Sequence, residues 1–523
     1  MNDPMHMLVG GLIRVAQGLI AAAPTLLVGL LIAAILRYYL GRAGIRRLFG
    51  GDSFRSLPQS WLVGMLLPVC SIGVLPILRE MRRAGVKPGA LSAFALSAPL
   101  FNPLSLLYGL TLSRPLVIIL FATGSLIIVT ALGLLWDSVL RRRRPANEEL
   151  PSQGEADAES GLIGVRRLAA TAVHIGRDAT GPMLGLVLLA VSGLAVLAAV
   201  LPYGAMQSSV ERDDPMAPLT MMMVAIPVYA TPMLAMSQLG MMFQHANSPG
   251  AAFTLLILGT GMNLATPFWL GRHYGWKSSA AWLTSLLLIV IGISYAINRP
   301  LIPPGVEPAG HTHAFDIYTN PLSAYQTNVW ATAEEDLRES MDVGGAAALA
   351  ALAIVIVFGI AFRAAGIDET RLASESVRAN ELGRARGFDV IVPRSVLGLT
   401  MLAGLVALSV VACFAYYPPP GECLEEIALA RAECLSAANS GDTDHALFWL
   451  PVWEEWSRRL EVGTFLRRGE VRPYQRMQGY LIRKKLELLE HELEHDPFEP
   501  EETQAVVREI LATNSRWVGA FRR

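Results

Sequence analysis

The stretch PVCSIGVLPILREMRRAGVKPGALSAFALSAPLFNP, residues 68–103, decides the fold. Two uncharged segments enclose a short loop in which Arg79, Arg82, Arg83 and Lys87 stand against Glu80. The first segment covers 60–78 and carries Pro68, Gly73 and Pro76. Proline removes a backbone donor and clashes with the preceding turn, so this segment reads as a broken helix. The second, 89–113, is long enough for a crossing, which takes about 20 apolar residues. The pattern is that of a chain that dips into a membrane, returns, and then crosses.

Outward from this stretch the same alternation recurs. Uncharged runs occupy 18–36, 115–135, 181–201, 217–243, 250–271, 279–298, 345–362 and 395–417, and none of the ten runs contains Asp, Glu, Lys or Arg. The chain has 523 residues, 53% hydrophobic and 17% charged, against roughly 25% charged in soluble domains. That composition argues against a purely soluble enzyme. A balance of 43 Lys+Arg against 44 Asp+Glu also argues against nucleic acid as a partner, which would need a basic surplus or a basic face. No basic region or small-residue cleavage site accompanies the first run, so it reads as a retained span.

Cytoplasmic loops retain Arg and Lys, and this sets the orientation. Residues 37–59 hold Arg37, Arg42, Arg46, Arg47 and Arg55, the 79–87 loop is basic, and 141–144 read RRRR; all three are expected inside. Glu211, Asp213 and Asp214 place 203–216 outside, as do seven acids against two Arg in 299–344. These placements agree when 60–78 and 217–243 enter and return on one side, the latter broken by Pro227 and Pro232. Eight segments then cross a plasma (inner) membrane, with both termini external.

An internal repeat supports this scheme independently of charge. Pro24 to Pro68 is 44 residues and Pro182 to Pro227 is 45; Pro68 to Pro88 is 20 and Pro227 to Pro249 is 22. KPGA at 87–90 matches SPGA at 248–251, and Asn102 and Asn263 each follow 14 residues after the Pro. Three crossings and one re-entrant element per unit invert the second copy relative to the first. Inverted repeats with broken helices are a transporter architecture whose site lies at the repeat interface. A repeat that packs only as a scaffold is the plainer reading of the same landmarks.

These residues resemble the signature of the bacterial predicted-permease family that includes the methylarsenite efflux permeases and related heavy-metal exporters. Its pattern is a Pro-x-Cys-Ser-Cys-Gly turn, a basic loop ending in Pro-Gly-Ala, and an Asn or Gln after a small-residue-Pro step. Residues 227–267 are similar to the family's second copy, and the resemblance covers about 18–298. It implies outward passage of a soft metal ion or organometalloid by alternating access. Ile72 stands where the pattern has its second cysteine, which removes one thiolate from a site for trivalent arsenic.

No span contains an ionisable acid or base, so a proton relay has no midplane candidate. The groups expected to meet substrate are Cys70, Ser71, Asn102, Thr231 and Asn263, with Tyr229 aligned to Cys70. The two amides either line a cavity or tie helices together. Eight of the 19 methionines fall in 216–242, where thioethers suit Cu(I) and equally serve as adaptable packing. His311, His313 and Asp316 form a candidate metal-contacting group in the external loop, which is equally readable as solvated.

The expected fold is an all-α polytopic membrane protein: two inverted repeats with broken, re-entrant helices, two extra transmembrane helices and an external helical domain. The divisions are a first permease repeat at 1–140, a cytoplasmic linker at 141–170, a second repeat at 171–298, an external loop at 299–344, two further spans with a cytoplasmic loop at 345–417, and the external domain at 418–523. Helices are expected in the last at 422–438, 445–468, 474–495 and 500–517. Cys423 and Cys434 could bond in an oxidising compartment, but on one continuous helix they lie beyond disulfide reach, so a bridge needs a turn between them or a second chain. HELEH at 491–495 matches a zincin motif in form, but its charged surroundings read as a solvated helix. The expected partners are a lipid bilayer and a small ion or metalloid substrate, with a protein partner open at 418–523; no cofactor and no catalysis are expected. The rival reading is a non-transporting membrane scaffold with an external partner-binding domain.

Overall fold

The computed structural model describes residues 4–51, 53, 55–112, 115–141, 162–206, 210–212, 214–244, 247–298, 312, 314–322, 328–341, 343–367, 392–494 and 499–522. All regular elements among the described residues are helical, and six helices there are long and apolar enough to cross a membrane. They coincide with six of the ten uncharged runs. The protein is an all-α polytopic membrane protein.

The chain opens with α1 (Pro4–Ile35), a π-helical turn (Leu36–Leu40) and α2 (Gly41–Leu48). The 32 residues of α1 alone rise about 48 Å at 1.5 Å each, well over a bilayer core of about 30 Å, and Gly41, at φ 64°, then turns the chain into α2. The helix therefore starts well before residue 18, where its apolar run begins. Arg14 lies in that added length. Its Nε donates to the Thr319 carbonyl (2.9 Å), Nη2 to the Asp316 carbonyl (2.5 Å) and Nη1 to Gln17 Oε1 (2.8 Å).

Four of the ten runs are not single helices. Residues 60–78 form α3 (Ser56–Leu66), a break at 67–73 and α4 (Val74–Arg83), while 217–243 form α10 (Ala217–Ala225), a break at 226–231 and α11 (Pro232–Gln244). These breaks were expected. The runs 89–113 and 250–271, expected as unbroken spans, are broken too. The first divides into α5 (Pro88–Ser97) and α6 (Pro103–Leu112) around 98–102. The second divides into α12 (Pro249–Thr254), continued by a π-helical turn to Thr260, and α13 (Ala265–Tyr274), with a bend of 55°. The cause is local: Asn102 and Asn263 turn their side-chain oxygens onto the first N–H groups of the following helix, which starts a new helix rather than continuing the old one.

The repeat extends into packing. In the first copy α7 (Pro115–Arg141) follows α6; in the second, α8 (Val165–Ala179) and α9 (Pro182–Val200) precede α10, and α14 (Trp276–Asn298) closes the copy. α5 packs on α3, α4 and α7, and α12 packs likewise on α10, α11 and α14. The Gly89 N–H donates to Asp137 Oδ1 (2.7 Å), and the Gly250 N–H donates to Asn298 Oδ1 (3.1 Å). All four residues share one 161-residue offset. The copies meet through α1 against α9 and α7 against α14.

Beyond the repeats lie a 3-10 turn (Asp316–Tyr318), α15 (Val329–Glu339), α16 (Val343–Ala364) and α17 (Arg394–Tyr416). Contacts divide the chain into one unit of Met1–Leu106 and Pro115–Ala407 and another of Leu107–Arg114 and Leu408–Arg523.

Within the second unit, α18 (Pro420–Ser440), α19 (Thr443–Arg468), α20 (Pro473–Glu494) and α21 (Pro500–Arg522) make a four-helix bundle. Each helix packs on two others, around Ile427, Leu450, Trp453, Leu486, Ile510 and Trp517. Gly441, at φ 78°, ends α18 in the left-handed region, and Asp442 accepts from the His445 N–H (3.2 Å) to start α19. Cys423 and Cys434 lie buried and unbridged along the single helix α18.

Candidate functional site

Cys70 sits in the first break and Tyr229 in the second, each two residues after its proline. Both are buried, and the Tyr229 phenol neighbours Cys70 and Thr25. Thr25 Oγ1, on α1, lies 2.8 Å from Cys70 Sγ and 3.1 Å from the Ala22 carbonyl, with one hydrogen to share between them, and the Gly73 N–H also points at that sulfur (3.4 Å). The Tyr229 hydroxyl is enclosed without closing a hydrogen bond among the described residues.

Backbone packing holds the breaks against the long helices. A side chain at Gly29 of α1 would strike the Gly73 carbonyl, and one at Gly193 of α9 would strike the Pro227 carbonyl. Each copy thus seats its first break directly on its own leading helix, a closeness only glycine allows. Pro68 and Pro227 lie within the breaks, whereas Pro232 is the first residue of α11 and Pro76 falls in the first turn of α4, where a missing N–H costs little. Gly73 has an ordinary helical φ of −63°, so its place is set by close contact with the Thr25 carbonyl. The later breaks also meet, since a Cβ on Gly261 would lie 3.2 Å from the Leu96 carbonyl and 3.0 Å from Leu100.

The other expected groups divide by role. Asn102 Oδ1 accepts from the Ser105 N–H (2.7 Å), and Asn263 Oδ1 from the Ala265 and Thr266 N–H groups (2.8 and 3.2 Å). Both oxygens are occupied as helix caps, and Asn263 Nδ2 is buried without a partner among the described residues. Thr231 Oγ1 accepts from the Leu234 N–H (3.4 Å). Among the described residues Ser71 Oγ has no bond, and neither does the buried Thr260 Oγ1, which no sequence motif marks. Thr25 is unmarked too, although it is the one polar residue beside the landmark Pro24. Met221, Met236 and Met242 are buried while Met216 and Met223 are exposed, so the methionines do not share one face.

Of the external metal candidates, His311 and His313 lie outside the described residues, and Asp316 opens the 3-10 turn that holds Arg14. Among the described residues no group of three His, Cys, Asp or Glu is placed to hold a metal ion.

The profile of a family described as a predicted permease, ArsP_1, matches residues 14–299, which takes in both copies and all four breaks. The chain belongs to the ArsP_1 predicted permease family. Together with the six long apolar helices, this membership makes it a multi-pass membrane protein of a predicted-permease family. The UPF0718 protein YcgR of Bacillus subtilis (strain 168) is 34% identical over 88 residues, 17% of this chain and 30% of that relative's length. The chain therefore spans under a third of the curated relative it matches. No solved structure matches the chain.

Proposed function

We propose that this permease exports a soft metal ion or organometalloid by alternating access, with Cys70 and Tyr229 at the junction through which the substrate passes. The observation that carries this reading is the meeting of Cys70 with Tyr229 across the two copies, at matched places in two broken helices. Sulfur is the donor atom that soft ions prefer, and Cys70 Sγ is held in place between Thr25 Oγ1 and the Gly73 N–H. Ser71, Thr260 and Asn263 add buried polar atoms within or beside the breaks that a passing substrate can satisfy. The Arg-rich loops support an inner-membrane placement with both termini external.

The test is flux in proteoliposomes for arsenite, methylarsenite, Cu(I) and Zn(II), comparing wild type with Cys70→Ser. Gradient-dependent flux of one of them, lost in the variant, supports the reading; absence of flux for all four removes it. The scaffold alternative requires instead that Cys70→Ser leave the cellular phenotype intact while deletion of 418–523 abolishes it.

A further inference from the structure

The repeat interface contains a second chemical centre, at the end that the charge pattern assigns to the cytoplasm. His174 and Asp178 of α8 face Glu80 of α4 and Arg37 of the π-helical turn. His174 Nε2 lies 3.5 Å from Asp178 Oδ2 and 3.9 Å from Glu80 Oε1, while its Nδ1 lies 3.4 Å from Arg37 Nη1. The side chains of His174, Glu80 and Asp178 are 1%, 3% and 8% exposed, so their charges interact in a medium far less screening than water. Arg79, paired with Asp178 and half exposed, connects this buried group to solvent.

A guanidinium only donates, so in the neutral ring bonded to Arg37 it is Nδ1 that accepts, and the ring proton then lies on Nε2, toward the carboxylates. A second proton, arriving from water, can only bind Nδ1. It turns the acceptor facing Arg37 into a donor and places a positive charge beside both carboxylates. The bond to the π-helical turn is lost and the attraction to α4 grows.

We propose that His174, held between Glu80 and Asp178, is a proton-binding site that transfers the tie of α8 from the π-helical turn to α4. This rests on the transport reading above and adds the proton as a second ligand. α4 begins directly after the Cys70 break, so one short rigid helix joins proton occupancy at Glu80 to the geometry at Cys70. A π-helical turn interrupting a long helix is a frequent mark of functional segments, and this one presents Arg37 together with Tyr38, whose ring meets His174 edge-on at 5.7 Å.

The packed elements also carry Arg82 on α4, Arg166 on α8, Arg167 and Arg177 of α8, which bond the Leu162 and Ile367 carbonyls, and Arg14 of α1, which bonds the Asp316 and Thr319 carbonyls. Arg83 reaches Glu80 at 3.7 Å, and α2, against α4, brings Arg42, Arg46 and Arg47. α16, packed on α8, brings Arg363, which bonds Thr180 Oγ1 and the Arg177 carbonyl. α5 and α9 contribute no ionisable side chain. Guanidiniums already pair with both carboxylates, which opposes a metal ion there.

The test is hydrogen–deuterium exchange on the purified full-length protein across about pH 5 to 8, corrected for the intrinsic pH dependence of exchange. Acidification should slow exchange in Val74–Arg83 and speed it in Leu36–Leu40, each by about fivefold, the effect of one net hydrogen bond. His174→Gln should abolish both changes. Arg37→Gln, which removes the positive charge opposing the second proton, should move the transition to higher pH. A wild type without the opposed changes, a His174→Gln protein that keeps them, or an Arg37→Gln transition at unchanged pH overturns the proposal. Flux that needs Cys70 but no exchange transition refutes the proton site alone; a transition without flux refutes the transport reading alone.

Discussion

Asn102 and Asn263 occupy the same place in the two copies, and each spends its side-chain oxygen on capping the helix that follows its break. Ser at either position preserves a cap while removing the amide nitrogen. Asn102→Ser and Asn263→Ser should therefore unfold near the wild-type temperature, whereas the Leu variants should each lose about 1 kcal/mol of stability. If Asn263 Nδ2 meets substrate, Asn263→Ser alone loses flux; thermal unfolding followed alongside flux separates the two roles.

The close approach of α1 and α9 to the breaks predicts low tolerance for a single methyl. Gly29→Ala and Gly193→Ala each drive a Cβ into a carbonyl and should destabilise by about 1–3 kcal/mol or more. Gly185→Ala on α9, where a Cβ meets nothing within 4 Å, is the control and should be neutral or slightly stabilising. Size-exclusion profiles of detergent-solubilised variants after graded heating will rank the three.

The Asp137–Gly89 and Asn298–Gly250 bonds predict exchangeable chemistry. Asp137→Asn and Asn298→Asp each keep an acceptor for the glycine N–H and should retain folding, while Ala at either position should cost about 1 kcal/mol from the unpaired donor. A melting series of the four variants checks this; equal loss in all four would show that the oxygens are not what matters.

In the bundle, burial pushes the Cys423 thiol up to about 11 and the Cys434 thiol up to about 12. Neutral thiols are favoured in the folded state, so their contribution to stability is intact below the ordinary value of 9.0 and declines as pH rises toward 11–12. At pH 7.5 both should resist iodoacetamide in the native full-length protein and react once it is denatured, as peptide mass mapping will show. Modification of either in the native protein at that pH would contradict the buried placement.

Much of this was legible because breaks and charges leave marks on sequence. Pro68 and Pro227 announced the first break in each copy, and the spacing to Asn102 and Asn263 announced the repeat. The second breaks escaped because hydropathy is blind to a turn inside an uncharged run. The dipeptide Asn102–Pro103, a capping residue followed by proline at the first helical position, was the readable signal. The bundle helices were legible from Gly441 and Asp442 at one junction and from the apolar periodicity around Trp453. The ion cluster was not. Glu80 and His174 lie 94 residues apart, and Glu80 read as part of a solvated basic loop, whereas α4 runs through Arg83 and buries it. Thr25 needed the tertiary fold, since only the approach of α1 to the Cys70 break brings it to that sulfur.

The packing of α16 on α8 reaches outside the family match. A Cβ at Gly359 would overlap the Gly176 backbone, and Arg363 of α16 bonds Thr180 at the end of α8. The matched region ends at residue 299, yet the helix that carries His174 leans on one that begins at Val343. A chain trimmed to its matched region would expose that flank of α8, and a chimera exchanging repeats with a shorter relative would have to supply a substitute brace.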